Sequence, residues 1–256
     1  MDVDLTHYPF LICPLAFIAL WVAERIGFFF RKRKGRPEED FSQDYGIVLA
    51  ATLTLLGLVI GFTFSMATNR YDQRKDFEEA EANAIGTEYL RAHLLPAADA
   101  DRVQVLLKQY LEQRVLFYAT SDEAEQRQVD TATAKLQTAL WSAVLAPAAT
   151  QPTPLVALVV AGMNDVLNSQ GYTQAAWWNR IPTAAWALMT AIALCSSWLV
   201  GYGSRSTGEG AKLFMVLPLV VSIAFMLIAD IDAPHHGLIK VHPENLISLA
   251  ESLRGQ

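Results

Sequence analysis

The sequence has 256 residues, of which 52% are hydrophobic, and its formal net charge at pH 7 is −6. Its mean hydropathy is +0.23, and the apolar residues stand in long runs, which is typical of a membrane protein rather than of a soluble domain. The negative charge argues against a nucleic-acid binder, and the sequence has no zinc-finger spacing, glycine-rich phosphate loop or aromatic–basic stripe.

The first apolar run covers about residues 8–30 and is long enough to cross a hydrocarbon layer of about 30 Å. No basic region precedes it, and it is longer than a signal-peptide core, so it predicts a retained membrane anchor. A basic cluster at residues 31–36 follows. By the positive-inside rule it predicts a cytoplasmic loop at residues 31–44 and an external N-terminus; an anionic-lipid or nucleic-acid site is the alternative.

The second apolar run, about residues 45–66, returns the chain to the outer face, and residues 67–180 then read as polar and helical. One helix is expected to continue out of the membrane to about Leu95, where Pro96 breaks it. A second covers about residues 99–118. A third begins after Asp122, which forms a capping-box pattern with Glu125, and prolines 147, 152 and 154 end it. A fourth amphipathic helix covers about residues 155–168.

The third and fourth apolar runs cover about residues 181–200 and 213–231, with aromatic residues at the ends of the third. The sequence therefore predicts an all-α, four-span membrane protein. Its parts are a transmembrane hairpin at residues 1–66, a helical extramembrane domain at 67–180, a second transmembrane hairpin at 181–231, and a C-terminal tail at 232–256. The charges of the short loops place the helical domain on the outer, periplasmic side of a bacterial inner membrane.

A stripe of small and hydroxyl residues follows one side of the second span. Its members recur at steps of three and four, which stacks them on one face of a helix: Ala50, Thr54, Gly57, Gly61, Ser65 and Thr68, followed by Asp72. Such a face either packs closely against a neighbouring helix or lines a water-filled path. Both interpretations predict a protein that works by assembling in a membrane.

Charged residues follow where the helix leaves the bilayer. Arg70 and Arg74 share one face, and a ring of them in an oligomer would attract anions. Asp72 and Asp76 lie on a neighbouring face, and a ring of these carboxylates would attract cations. Ion pairs within or between subunits are the alternative, and the sequence does not say which face looks inward.

Two segments carry a family resemblance. GFTFSMATNRYDQRKDFEEAEANAIGTEYLRAHLLP, at residues 61–96, and DIDAPHHGLIKV, at residues 230–241, resemble the signature of a bacterial membrane protein family that is distantly related to bestrophin channels. The resemblance implies a homo-oligomeric channel for inorganic ions, with a pentamer as the stoichiometry. Bestrophin channels narrow at apolar side chains on their second membrane helix, and Ile60, Phe62 or Phe64 could form a comparable constriction. In those channels the domain between spans two and three is cytosolic, opposite to the orientation that the loop charges predict.

The second matching block follows the last apolar run. Asp230, Asp232, Pro234 and Gly237 match the family pattern and predict a membrane-exit turn, in which Asp230 pairs with a cation such as Arg70, Arg74 or Arg180. The adjacent His235 and His236 suggest a metal site as the less favoured alternative.

No catalytic motif stands out, and Cys13 and Cys195 both lie inside apolar runs, where neither a disulfide nor a metal site is expected. We therefore expect a protein that is not an enzyme, binds no cofactor, metal or nucleic acid, and is partnered by lipid, ions and copies of itself. The leading hypothesis is an ion channel with a pore lined by the second span. The rival hypothesis is a membrane-anchored sensor or scaffold whose helical domain binds a partner.

Overall fold

The computed structural model describes residues 9–34, 39–204, 214–234 and 237–255. The regular structure in these ranges is entirely helical, which confirms the all-α prediction. The helices are α1 (Pro9–Lys34), α2 (Glu39–Arg91), the short 3-10 turn Ala92–Leu94, α3 (Ala97–Ala119), α4 (Glu123–Thr150), α5 (Pro154–Trp178), α6 (Thr183–Gly203), α7 (Val216–Asp232) and α8 (Glu244–Arg254).

The helices form two compact units. The first comprises Met1–Asn69 and Arg180–Ile239, and the second comprises Arg70–Asn179 and Lys240–Gln256. Helix α2 therefore contributes residues to both units, and the C-terminal tail is divided as well: residues 232–239 belong to the first unit, and residues 240–256, including α8, belong to the second.

Three stretches of the described residues are long and apolar enough to cross a membrane: Phe10–Lys32, Gln43–Leu94 and Pro154–Gly203. Helix α7, which corresponds to the fourth apolar run, has 17 residues, so the four-span arrangement stays a prediction. Helix α2 has 53 residues and is about 80 Å long, far more than a hydrocarbon layer of about 30 Å. Its apolar part, about residues 45–66, has the length that such a layer requires, and that only this part crosses the bilayer stays a prediction.

In the first unit, α1 packs closely against α6. A Cβ atom added to Gly27 would lie 2.1 Å from the carbonyl oxygen of Trp198, and one added to Gly201 would lie 1.9 Å from that of Glu24. Small residues at these points let the two backbones approach each other, as in other membrane helix pairs. Beyond this crossing, the Arg31 guanidinium donates hydrogen bonds to the carbonyls of Tyr202 (3.0 Å) and Gly203 (2.7 Å), which satisfies acceptors at the end of α6.

The second unit is built around a continuous apolar core. Its fully buried members come from five helices and include Ile85 of α2, Leu107 and Tyr110 of α3, Leu140 and Val144 of α4, Val159 and Met163 of α5, and Leu246 of α8. The start of α4 is fixed by the Asp122 side chain, which accepts hydrogen bonds from the backbone N–H groups of Ala124 (2.8 Å) and Glu125 (3.0 Å).

Two helix ends differ from the sequence prediction. Pro147 lies inside α4, which continues for one more turn to Thr150 before the residue preceding Pro152 leaves the helical region. Helix α5 does not stop near residue 168 but runs to Trp178. Its continuation is held by tertiary packing, because Thr173, Ala176 and Trp177 are all buried.

Candidate functional site

The stripe of small residues on α2 faces away from the rest of the chain. Ala50, Thr54, Gly57, Gly61 and Ser65 are all exposed. A Cβ atom added to Gly57 or Gly61 would meet no described atom within 4 Å. The opposite side of the helix is the one that packs within the first unit, where Leu56, Thr63 and Ala67 are buried. Within the described part of the chain, neither glycine therefore lies against another helix.

The hydroxyl groups of the stripe satisfy their donors locally. Thr54 donates to the carbonyl oxygen of Ala50 (2.8 Å), and Thr68 donates to that of Phe64 (3.1 Å), in each case one turn earlier in the helix. These hydroxyl oxygens keep acceptor lone pairs, which water or a cation could use.

The exposed surfaces of α1 and α7 differ in kind from the stripe, whereas α6 also exposes small residues, among them Ala187, Thr190 and Ala191. The exposed side chains of α1 and α7 are large and apolar, as a lipid-facing surface requires: Phe10, Leu11, Leu15, Ile18, Val22, Ile26, Phe29 and Phe30 on α1, and Val216, Leu219, Val220, Ile223 and Leu227 on α7. A strip of glycine, serine and threonine offers lipid chains little contact area. The stripe thus differs from the exposed sides of α1 and α7.

Phe62 and Phe64 are both exposed, at 65% and 43%, but they lie on different sides of the stripe. Residues advance by about 100° around an α-helix, which places Phe64 about 20° from Gly57 and about 60° from Gly61. By the same geometry Phe62 lies about 140° from Gly57 and about 100° from Gly61. Phe64 therefore flanks the stripe on the side of Gly57 and Gly61, whereas Phe62 flanks it on the side of Ser65.

The charged residues after the stripe also separate into two sets. Arg74 is only 1% exposed, and Arg70 is half-buried. Asp72 and Asp76 are exposed. The arginines therefore lie towards the packed side of α2, whereas Asp72 and Asp76, together with Lys75 between them, are exposed charged groups of α2 here.

The predicted membrane-exit residues form a compact turn. The Asp230 carboxylate accepts hydrogen bonds from the backbone N–H groups of Leu238 (2.8 Å) and Ile239 (2.9 Å), and its pairing with an arginine stays a prediction. A Cβ atom at Gly237 would lie 2.4 Å from the Asp230 carbonyl oxygen, which leaves room only for glycine. The backbone N–H of Ile181 donates to the Asp232 carboxylate, with the nitrogen 3.2 Å from Oδ1 and 3.0 Å from Oδ2. Pro234 is buried. His235 and His236 lie outside the described residues.

Several buried acidic residues of α2 were not identified from the sequence. Glu81 is fully buried and pairs with Arg114 of α3 at 2.5 Å, and Thr173 of α5 donates to it at 3.2 Å. Glu78 accepts from the backbone N–H of Leu246 (2.9 Å) and the side-chain amide of Asn245 (2.7 Å), and so caps α8. The available signal is the helical phase, because these carboxylates fall in register with apolar core residues of α2 such as Ile85.

Comparison with known proteins gives a consistent result. The family model of the Bestrophin-like domain matches residues 16–246. A variant of a bacterial bestrophin homologue from Klebsiella pneumoniae is 13% identical, with 97% of this chain and 99% of that chain covered and a TM-score of 0.63. A second variant is also 13% identical, with both chains covered completely and a TM-score of 0.63. A structure of the homologue phased with zinc is 13% identical, with 95% of each chain covered and a TM-score of 0.60. At this identity the likeness concerns the fold. No curated protein matches the chain.

Proposed function

Because the chain belongs to the Bestrophin-like family, we propose that it is a homo-oligomeric ion channel whose pore is lined by the stripe of α2. The observation that carries the proposal is the exposure of Gly57 and Gly61, with no described atom within 4 Å of a Cβ at either position. A strip of small and hydroxyl residues inside a membrane packs against a neighbouring helix or lines a water-filled path. No described helix of this chain packs against Gly57 or Gly61.

A ring of α2 helices accounts for both properties of the stripe. The glycines would let α2 helices from adjacent subunits approach closely, and the Thr and Ser oxygens would face the ion path between them. A pentamer is the stoichiometry that the bestrophin resemblance implies. The narrowest point would be a ring of Phe64 side chains, because Phe64 lies on the side of the two glycines and a narrow apolar ring resists wetting.

The exposed carboxylates support a preference for cations. Asp72 and Asp76 would form a ring of negative charge near one mouth of the pore. The exposed Lys75 offsets one of these two charges, whereas Arg74, at 1% exposure, contributes little to that surface. A charge ring at a pore mouth concentrates ions of opposite sign.

We therefore expect Asp72→Asn to lower the cation-to-anion permeability ratio. The ratio should fall by roughly sevenfold for each kT by which the negative potential at the mouth is reduced, because the cation concentration falls and the anion concentration rises by about threefold each. The reversal potential of purified protein in planar bilayers under a salt gradient measures this ratio. Asp101→Asn, which removes the same charge from an exposed position on α3, is the control and should leave it unchanged. An equal shift in both variants would contradict a carboxylate ring at Asp72.

The basic cluster at residues 31–36 supports an external position for the second unit. We expect a cysteine at the exposed residue Asp130, in a chain whose Cys13 and Cys195 are replaced by alanine, to react with a membrane-impermeant maleimide added to intact spheroplasts. Labelling that occurs only after lysis would place this unit in the cytoplasm, as in bestrophin channels, and would overturn the orientation drawn from charge.

The rival function is a membrane-anchored scaffold whose second unit binds a partner. In that case the stripe would only hold subunits together. The two functions differ in ion flux, since a scaffold carries none.

A further inference from the structure

Glu88 occupies an unusual position on the extramembrane part of α2. Its side chain is fully buried, with 0% exposed. It lies directly against Gly162 of α5, where an added Cβ atom would come within 2.0 Å of the Glu88 Oε2 atom. Neither carboxylate oxygen accepts a hydrogen bond from any described residue. Glu78 and Glu81, on the same helix, are by contrast each held by specific donors.

Two charged side chains act on this carboxyl group. Arg91 follows it by one turn of α2, and its Nη1 atom would lie 2.6 Å from the same added Cβ atom at Gly162. Asp165 follows Gly162 by three residues on α5 and is exposed. Burial raises the pKa of Glu88 to about 8; Arg91 opposes this rise and Asp165 adds to it.

We propose that Glu88 binds a proton at the contact between α2 and α5, and that release of this proton loosens the contact. A neutral carboxylic acid fits the closed space above Gly162. A carboxylate there accepts no hydrogen bond from the described residues, and burying a charge without hydrogen bonds is unfavourable even with the Arg91 guanidinium nearby. Ionisation therefore favours a state in which α5 moves away and water reaches the group. The inference concerns the second unit alone and does not depend on ion conduction.

The direction of the pH effect follows from the raised pKa. An unfolded glutamate titrates near its ordinary value of 4.5, whereas Glu88 in the folded chain keeps its proton up to about pH 8. The folded state thus binds the extra proton between these values. The stabilisation of the folded state by this proton is complete below about pH 4.5, is lost progressively as the pH rises towards 8, and is absent at higher pH.

The first test compares full-length protein in detergent with its Glu88→Gln variant. Glutamine is neutral and similar in shape, so the thermal midpoint of the variant should lose the fall that the wild type shows between pH 5 and 8. Glu79→Gln, at an exposed position one turn from the buried carboxylates, is the matched control and should keep the wild-type profile. A Glu88→Gln profile with the same pH dependence as the wild type would overturn the proposal.

A second measurement applies whether or not Glu88→Gln folds. Infrared difference spectroscopy of the wild type should show the carbonyl band of a protonated carboxylic acid, titrating near pH 8. Asp165→Asn removes a like charge and should lower this midpoint, whereas Arg91→Gln removes a cation and should raise it, each by up to about one pH unit. Absence of a carboxylic-acid band at pH 7, or midpoints that move in neither direction, would overturn the proposal.

Discussion

Replacing Gly57 or Gly61 with leucine is expected to break the oligomer into smaller species. The two glycines are four residues apart, a spacing that lets membrane helices approach closely, and a leucine side chain would force neighbouring α2 helices apart. Overpacking a close contact costs about 1–3 kcal/mol at each interface, and the cost repeats around a ring. Size-exclusion chromatography with light scattering in detergent measures the particle mass.

The structure supplies controls for this experiment. Since nothing described lies within 4 Å of a Cβ at Gly57 or Gly61, leucine there leaves the fold of the subunit intact. Gly171, on the exposed side of α5, has equally open surroundings, and Gly171→Leu should not change the mass. A variant of normal mass but without ion flux would mean that the stripe faces the lumen without touching a neighbour. Normal mass together with normal flux would mean that the stripe faces lipid.

The sequence predicts the helices and the stripe but not the direction in which the stripe faces. Hydropathy, proline positions and the Asp122 cap locate most helix boundaries, because these depend on local chemistry. Steps of three and four residues place Gly57 and Gly61 on one side of α2 for the same reason. Whether that side packs against the chain's own helices depends on tertiary contacts, and only the empty surroundings of both glycines resolve this.

The burial and pairing of charged residues could not be predicted from the sequence. The sequence predicts Arg74 as a pore-mouth residue, because charged side chains at helix surfaces are usually solvated, yet Arg74 is 1% exposed. The pairing of Glu81 with Arg114 joins residues 33 positions apart, and the burial of Glu88 depends on Gly162, which is far away in sequence. No local pattern encodes these contacts. The helical phase shared by the buried acids and Ile85 was the available signal, and it becomes persuasive only once the buried side of α2 is known.

Helical geometry also distinguishes Phe62 from Phe64, which are equivalent candidates by sequence alone. They are two residues apart and therefore lie about 200° apart around the helix. Both are exposed, but only Phe64 lies on the side of Gly57 and Gly61, and only a side chain on that side would reach the axis of a ring built around the stripe.

Phe64→Ala is accordingly expected to raise ion flux strongly, while Phe62→Ala should leave it near the wild-type level. Alanine removes the large apolar ring, so the constriction widens and stays wetted, and the barrier to ion passage falls. Each kcal/mol removed from that barrier increases the flux about fivefold. Flux from proteoliposomes and single-channel currents in planar bilayers measure the effect, with both variants first checked for unchanged particle mass. Larger flux in Phe62→Ala than in Phe64→Ala would place the pore on the other flank of α2. Silence of the wild type and both variants would exclude the channel and leave the scaffold function standing.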